Sequence, residues 1–342
     1  MKTRHFLRSL STLALAATIA TLPSMQAQSQ TKEPVKASLR LKWLTQTQFA
    51  GFYYAQAKGY YKSEGIDLTI NPGGPNLLTE NLVATGADTV GLSGGSDSVM
   101  AGVDKGLPIV SIGVSHQITP FVFITRKDGP VRSLKDFEGR KVTTWFTGAN
   151  YVLFGMLGQA GIDRSKVDIQ PQQVSMTPFI NGDTDVATAT LYNEMWTVKD
   201  RMGADKLRVF TAEESGITFP RDTLIVSKDT ARDKPVLVKA FLRASIRGWR
   251  DAAANPQEAV DIVMKIAPTL NRAQQESMLT EAYKLMTAGK AKTDGLFAID
   301  PAALKSAQDF LLANKVLTKP VDTAVAFDAS FLQSIPVAER RP

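Results

Sequence analysis

Leu39 to Ile70 reads L-R-L-K-W-L-T-Q-T-Q-F-A-G-F-Y-Y-A-Q-A-K-G-Y-Y-K-S-E-G-I-D-L-T-I, and three periodicities follow one another inside it. Leu39, Leu41 and Trp43 alternate with Arg40 and Lys42, the period-two pattern of a half-buried strand that ends in a loop at Thr45 to Gln48. Phe49, Phe52, Tyr53, Ala57, Tyr60 and Tyr61 then fall at helical spacing, and Gly65 is placed to cap that helix. Ile66, Leu68 and Ile70 alternate again with Asp67 and Thr69. Strand, helix and strand in so short a span predict a parallel pair with a helix crossing between them.

The same alternation continues outward. Pro72 to Pro75 is a turn, a helix is expected over 77–85, a buried strand over 89–93, a Gly/Ser loop over 93–96, a helix over 97–105 and a strand over 109–114. In an open α/β sheet, ligands sit in the crevice beyond the carboxyl ends of the strands. Here those ends are the loops 44–49, 93–97 and 115–120. A second alternating unit starts near Leu134, with strands expected over 141–145, 167–170 and 186–190 and a helix over 150–161. Two extended runs, Phe121 to Thr125 and Thr223 to Ser227, stand where the chain would leave and re-enter the first unit, which suits a two-stranded hinge. From Pro235 the pattern is helical: Val238, Leu242, Ile246 and Trp249 form one apolar stripe, and helices follow over 258–266, 274–286 and 301–313. The expected organisation is a linker over 28–37, one α/β lobe from 38–124 and 223–335, and a second from 125–222.

Residues 1–27 have the layout of a cleavable signal peptide. Lys2, Arg4 and Arg8 precede the apolar run Leu10 to Leu22, which is too short to span a bilayer, and Ala27 is a small residue suited to the cut. The chain has no cysteine, hence no attachment point for a lipid and no disulfide. A soluble periplasmic protein is expected. Removing residues 1–27 deletes three positive charges and no negative one, so the net charge falls from +7 to +4. The remaining basic residues are interspersed with acids, which argues against a nucleic-acid partner.

Reactive constellations are missing from the pattern. The mature chain would keep His116 as its one histidine and no cysteine, too little for a zinc site. Leu92 to Asp97 lacks the Gly-x-Ser-x-Gly spacing of a nucleophile elbow, and neither a Walker lysine nor a dinucleotide fingerprint occurs. The expectation is a binding protein with no catalytic residues, no metal and no cofactor.

Trp43 to Gly65 resembles the opening signature of ABC importer solute-binding proteins related to fungal thiamine-pyrimidine synthase, the group that also includes the alkanesulfonate carriers of the SsuA type. Ser133 to Val142, S-L-K-D-F-E-G-R-K-V, resembles the family's entry into its second lobe. Tyr192, Asn193 and Glu194 resemble an Asn-Glu motif of its pyrimidine and flavin branches. The resemblance runs to about Leu332. It implies a type II periplasmic-binding fold, a ligand held between two lobes, and ABC permease subunits in the inner membrane as partners of a monomeric carrier. The fungal enzyme's cysteine-rich motif and iron-binding histidines have no counterpart here, which argues for binding over catalysis.

A flat heteroaromatic solute is held by stacking on aromatic faces, with a few polar groups fixing its edge. Trp43, Phe49 and Phe52 are candidates for one wall. Trp43 could simply be core, but its place at the end of a strand on the ligand-facing side favours the wall. Glu194 can accept from an exocyclic amine and a ring N–H, or can simply be the acid in the first turn of a helix. Tyr192 and Asn193 go with it. Thr147 and Gly148 open a helix whose free N–H groups could bind an oxygen or merely be capped. Ser93, Gly94, Ser96 and Gln117 supply small polar groups from the other loops. A thiamine-type pyrimidine precursor is the first expected solute and riboflavin the second. Nitrate, taurine and alkanesulfonates rank below them because the assigned cleft loops carry no Arg or Lys. A pyrimidine-synthase-like enzyme is the reading from a different class.

Overall fold

The expected β-α-β unit forms, with the first strand earlier than its alternation suggested. In the computed structural model, which describes residues 1, 33–217 and 219–342, β1 is Val35–Arg40 and pairs in parallel with β2, Ile66–Asn71, over all six residues. Leu41 to Trp43 therefore lie beyond the ladder, and β1 begins inside the expected linker. The expected signal peptide lies outside the described residues. The helix expected from Phe49 to Gly65 is split into Ala50–Ala57 and Tyr60–Ser63, because Gly59 takes a left-handed conformation (φ 72°) that a continuing helix does not allow.

β3, Val90–Gly95, and β4, Ile109–His116, extend the first sheet. β10, Arg221–Ser227, inserts antiparallel between them, giving the order β2-β1-β3-β10-β4. The Gly/Ser segment 93–96 is no loop. It stays on the ladder to Gly95, opposite Arg221, and the helix Ser96–Asp104 starts at once. The second sheet repeats the plan. β6 (Lys141–Thr144), β7 (Asp168–Pro171) and β8 (Val186–Thr190) run parallel, and β5 (Phe121–Arg126) lies antiparallel between β8 and β9 (Leu207–Thr211), in the order β7-β6-β8-β5-β9.

The two runs expected to form a hinge, 121–125 and 223–227, thus sit in different sheets, each as its single antiparallel strand. Pairing on both sides satisfies their backbone groups within those sheets. The chain passes from the first sheet to the second after His116 and returns between Thr211 and Arg221. This is the two-sheet α/β arrangement of a type II periplasmic-binding fold.

The long helix Pro235–Ala254 covers the first sheet with the predicted stripe, and Val238, Leu242, Ile246 and Trp249 are all buried. Its Trp249 lies so close to Gly51 that a Cβ there would sit 2.2 Å from the indole. Phe52 stacks between Phe241 and Phe297, at 6.4 and 6.3 Å between ring centroids. The helices Pro256–Ile266, Arg272–Met286 and Pro301–Ala313 follow as expected.

Candidate ligand-binding cleft

The chain just past β1, β6 and β8 carries aromatic residues, and the fold brings them face to face. Trp43 follows β1 and Trp145 follows β6; their rings meet edge to face at 5.3 Å and 70°. Phe121, the first residue of β5, lies 6.2 Å from Trp145. Tyr192, just past β8, meets His116 edge to face at 5.7 Å. Trp43, Phe121, Trp145 and Tyr192 all line one cavity. Polar side chains complete the lining: Lys42, Gln48, Thr147, Thr190, Asn193, Glu194 and Arg221.

The lobes meet closely around this space. A Cβ on Gly94 of the first lobe would lie 2.1 Å from the Thr147 carbonyl oxygen of the second. On the far side, the Gln274 amide donates to Asn193 Oδ1 at 2.9 Å and to Thr197 Oγ1 at 3.1 Å.

Charges in the cavity wall are matched locally. The Arg221 guanidinium is fully buried, ion-paired with the equally buried Asp97, and lies 4.5 Å from the centre of the Phe121 ring. Burial pushes the Asp97 carboxyl above its ordinary pKa, and the nearby Arg221 charge opposes that shift. Lys42 pairs with Asp222, and burial draws the lysine's pKa down against that carboxylate's pull. Glu194 is buried. Its Oε2 accepts from the Thr190 amide at 3.0 Å and the Thr190 hydroxyl at 2.7 Å, and its Oε1 accepts from Asn193 Nδ2 at 2.6 Å. Burial raises its pKa even so, with those hydrogen bonds acting the other way. His116 is fully buried with no hydrogen bond at either ring nitrogen, and burial lowers its pKa to about 4. The imidazole is neutral near pH 7. Among the described residues, no group of three or more His, Asp or Glu is arranged to hold a metal ion.

Six of the residues expected at the site line the cavity: Trp43, Gly94, Thr147, Tyr192, Asn193 and Glu194. The other six lie elsewhere. Phe49 and Phe52 are fully buried in the core, where Phe52 meets Trp249 edge to face. Ser93 is on the β3 ladder and donates to Glu80 Oε1 at 2.5 Å. Ser96 donates to the Pro220 carbonyl at 2.9 Å, and Gln117 to the Val114 and Ala298 carbonyls at 2.9 and 3.1 Å. Gly148 borders Arg221 at the lobe seam, where its φ of 128° suits glycine alone.

Lys42 and Arg221 overturn the expectation of a cleft without cations. The alternation places Lys42 on the outward face of a strand through Trp43; β1 instead ends at Arg40, and the Lys42 side chain pairs with Asp222. Arg221 is brought in where the chain returns to the first sheet. Of the other lining residues that the sequence reading missed, Trp145 had a usable signal, standing after β6 as Trp43 stands after β1.

A description of the NMT1/THI5-like family matches residues 46–259, more than half of the chain and every lining residue except Lys42 and Trp43. The chain belongs to the NMT1/THI5-like family. It is 27% identical over 328 residues, 94% of this chain and 91% of the other, to the riboflavin-binding protein RibY of Chloroflexus aurantiacus. It is 24% identical to the formylaminopyrimidine-binding protein of Halalkalibacterium halodurans, over 84% of this chain and 88% of that protein. It is also 25% identical to a 4-amino-5-hydroxymethyl-2-methylpyrimidine phosphate synthase of Legionella pneumophila, over 72% and 78% of the two chains. In fold it is similar to the alkanesulfonate-binding protein SsuA of Xanthomonas axonopodis pv. citri, with a TM-score of 0.62 at 15% identity, covering 86% of this chain and 99% of that one. This member of the NMT1/THI5-like family therefore combines a periplasmic-binding fold with an aromatic cavity between its lobes.

Proposed function

We propose that this protein is the solute-capturing component of an ABC importer, without catalytic activity, and that it binds a small planar heteroaromatic molecule between its lobes. The observation that carries the reading is the cage of Trp43, Phe121, Trp145 and Tyr192, which draws rings from both lobes around one small cavity. Flat rings gain from stacked and edge-to-face contacts beyond the burial of their area, and a cage shared by two lobes is complete only when they are closed. In this reading the protein is exported by residues 1–27, acts as a monomer in the periplasm, and presents its closed form to the permease subunits.

Two solute classes fit. A thiamine-type aminopyrimidine is supported by Glu194 and Asn193 in the wall and by the formylaminopyrimidine-binding relative. A flavin is supported by the riboflavin-binding relative, whose similarity spans nearly the whole of both chains. Anion carriage has Lys42 and Arg221 in its favour, but each is already matched by an aspartate.

A thermal-shift panel on the mature protein tests this, offering riboflavin, 4-amino-5-hydroxymethyl-2-methylpyrimidine, formylaminopyrimidine, taurine and nitrate. A ligand at about 100 times its Kd adds roughly 2.7 kcal/mol of stability. Stabilisation by a heteroaromatic compound is expected. A response to taurine or nitrate alone would sink the proposal.

A further inference from the structure

We infer that the cleft recognises its solute by uncharged ring carbonyls, read by Arg221 and by the indole N–H groups of Trp43 and Trp145. The inference rests on the heteroaromatic reading above and narrows it to one edge chemistry.

It starts from which polar atoms in the wall already have partners. The acceptors are largely taken. Both Glu194 oxygens accept hydrogen bonds from Thr190 and Asn193. Asp97 Oδ2 accepts from Arg221 and its Oδ1 accepts from the Ser98 amide, while Asp222 Oδ1 accepts from Lys42. The donors are left over. Trp43 Nε1, Trp145 Nε1 and Arg221 Nε and Nη2 are buried and have no partner in the protein. Tryptophan and arginine can only donate, so these four N–H-bearing atoms call for acceptors from a ligand. Among the described residues, Gln48 Oε1 is the buried acceptor of the wall without a partner, its amide nitrogen donating to Gln46 Oε1 at 2.9 Å. Buried donors in excess over buried acceptors match a ring edge on which carbonyl oxygens flank an N–H.

Charge separates carbonyls from anions. Lys42 and Arg221 are offset by Asp222 and Asp97, and Glu194 adds a further acid, so the wall carries no net positive charge to draw in a carboxylate or sulfonate. The open donors therefore suit neutral oxygens. They suit an aminopyrimidine poorly, because its exocyclic amine would bring further donors to a wall already short of acceptors.

The test compares two uncharged planar probes by calorimetry on the full mature protein: lumichrome, a fused ring with two carbonyls flanking an N–H, and 4-amino-5-hydroxymethyl-2-methylpyrimidine, which has none. Trp43→Phe and Trp145→Phe, made separately, keep an aromatic face while removing the N–H together with part of the ring area; Arg221→Lys keeps the charge and removes the fork. The expected result is tighter binding of lumichrome by the native protein, and about tenfold weaker lumichrome binding in at least one Phe variant, with a smaller loss for the aminopyrimidine. Preference for the aminopyrimidine overturns the inference while leaving the heteroaromatic reading intact. So does an equal loss of both probes in the Phe variants, which would assign the tryptophans to stacking alone. Failure of both probes to bind defeats the underlying reading as well. If Arg221→Lys does not fold, the two Phe variants decide the matter.

Discussion

Gly94→Ala is the sharpest probe of lobe closure. Gly94 needs no left-handed backbone, so alanine adds one methyl group and no strain of its own. In the closed arrangement that methyl would lie 2.1 Å from the Thr147 carbonyl oxygen, whereas ordinary contact begins near 3.4 Å. The β3 end and the Thr147 loop would have to part by about 1.3 Å, since repulsion climbs steeply inside van der Waals contact. Within its own lobe the nearest atom to the methyl is Ser98 Oγ, at 2.9 Å, and that hydroxyl can rotate away. The penalty therefore falls on the closed form. Forcing one methyl into a packed contact costs about 1–3 kcal/mol, and at about 1.4 kcal/mol per factor of ten the solute should bind roughly 5- to 150-fold more weakly. Calorimetry with the solute found in the panel measures the loss, and small-angle scattering should show less compaction at saturation. The unliganded variant should melt within a degree or two of the native protein, because open lobes do not feel the methyl. Native affinity together with full compaction would refute the view that Gly94 and Thr147 meet on closure.

Other perturbations address the frame around the cleft. His116 is held neutral by burial, with Asp222 favouring its charged form and Lys42 and Arg221 opposing it, while Tyr192 packs on its edge. Its pKa of about 4 in the native state lies below the ordinary 6.5, so the unfolded chain binds the extra proton first as pH falls. The contribution, about 3 kcal/mol, is present above pH 6.5 and lost progressively by pH 4. Urea midpoints of His116→Gln should accordingly fall less between pH 7 and pH 5 than those of the native protein; parallel decline in the two would remove the histidine from the account. Gly51→Ala, whose methyl would lie 2.2 Å from Trp249, should lower stability by about 1–3 kcal/mol in denaturant unfolding. An unchanged midpoint there would mean that the helix pair has slack the structure does not display.

Local periodicity made much of the fold legible. The alternation at 66–70 and the apolar run at 109–114 became strands, and the stripe from Val238 to Trp249 became a buried helix face, because side-chain period is set by backbone geometry within a few residues. The family resemblance rested on the same kind of local signal, and Trp43, Tyr192, Asn193 and Glu194 were within reach because they sit just past strands that could be read. Short-range cues failed where the third dimension chose between equals. Phe49 and Phe52 look like Trp43 in composition, yet both are buried in the core, Phe52 against Trp249 and Phe241. Lys42 follows a perfect alternation, yet the ladder ends at Arg40.

Sequence alone determined the class of the protein: alternating strands and helices, two such units, and a cysteine-free chain without a reactive constellation. Tertiary structure decided what the cleft contains. Arg221 reaches Asp97 across 124 residues of chain, and Phe121 joins Trp145 because β5 is inserted antiparallel into the second sheet, not left between the lobes. Those meetings depend on strand order and on where the chain crosses between lobes. A pairing partner far along the chain leaves no periodic trace in the residues beside it, so Arg221 and Phe121 could not be placed at the cavity until the sheets were assembled.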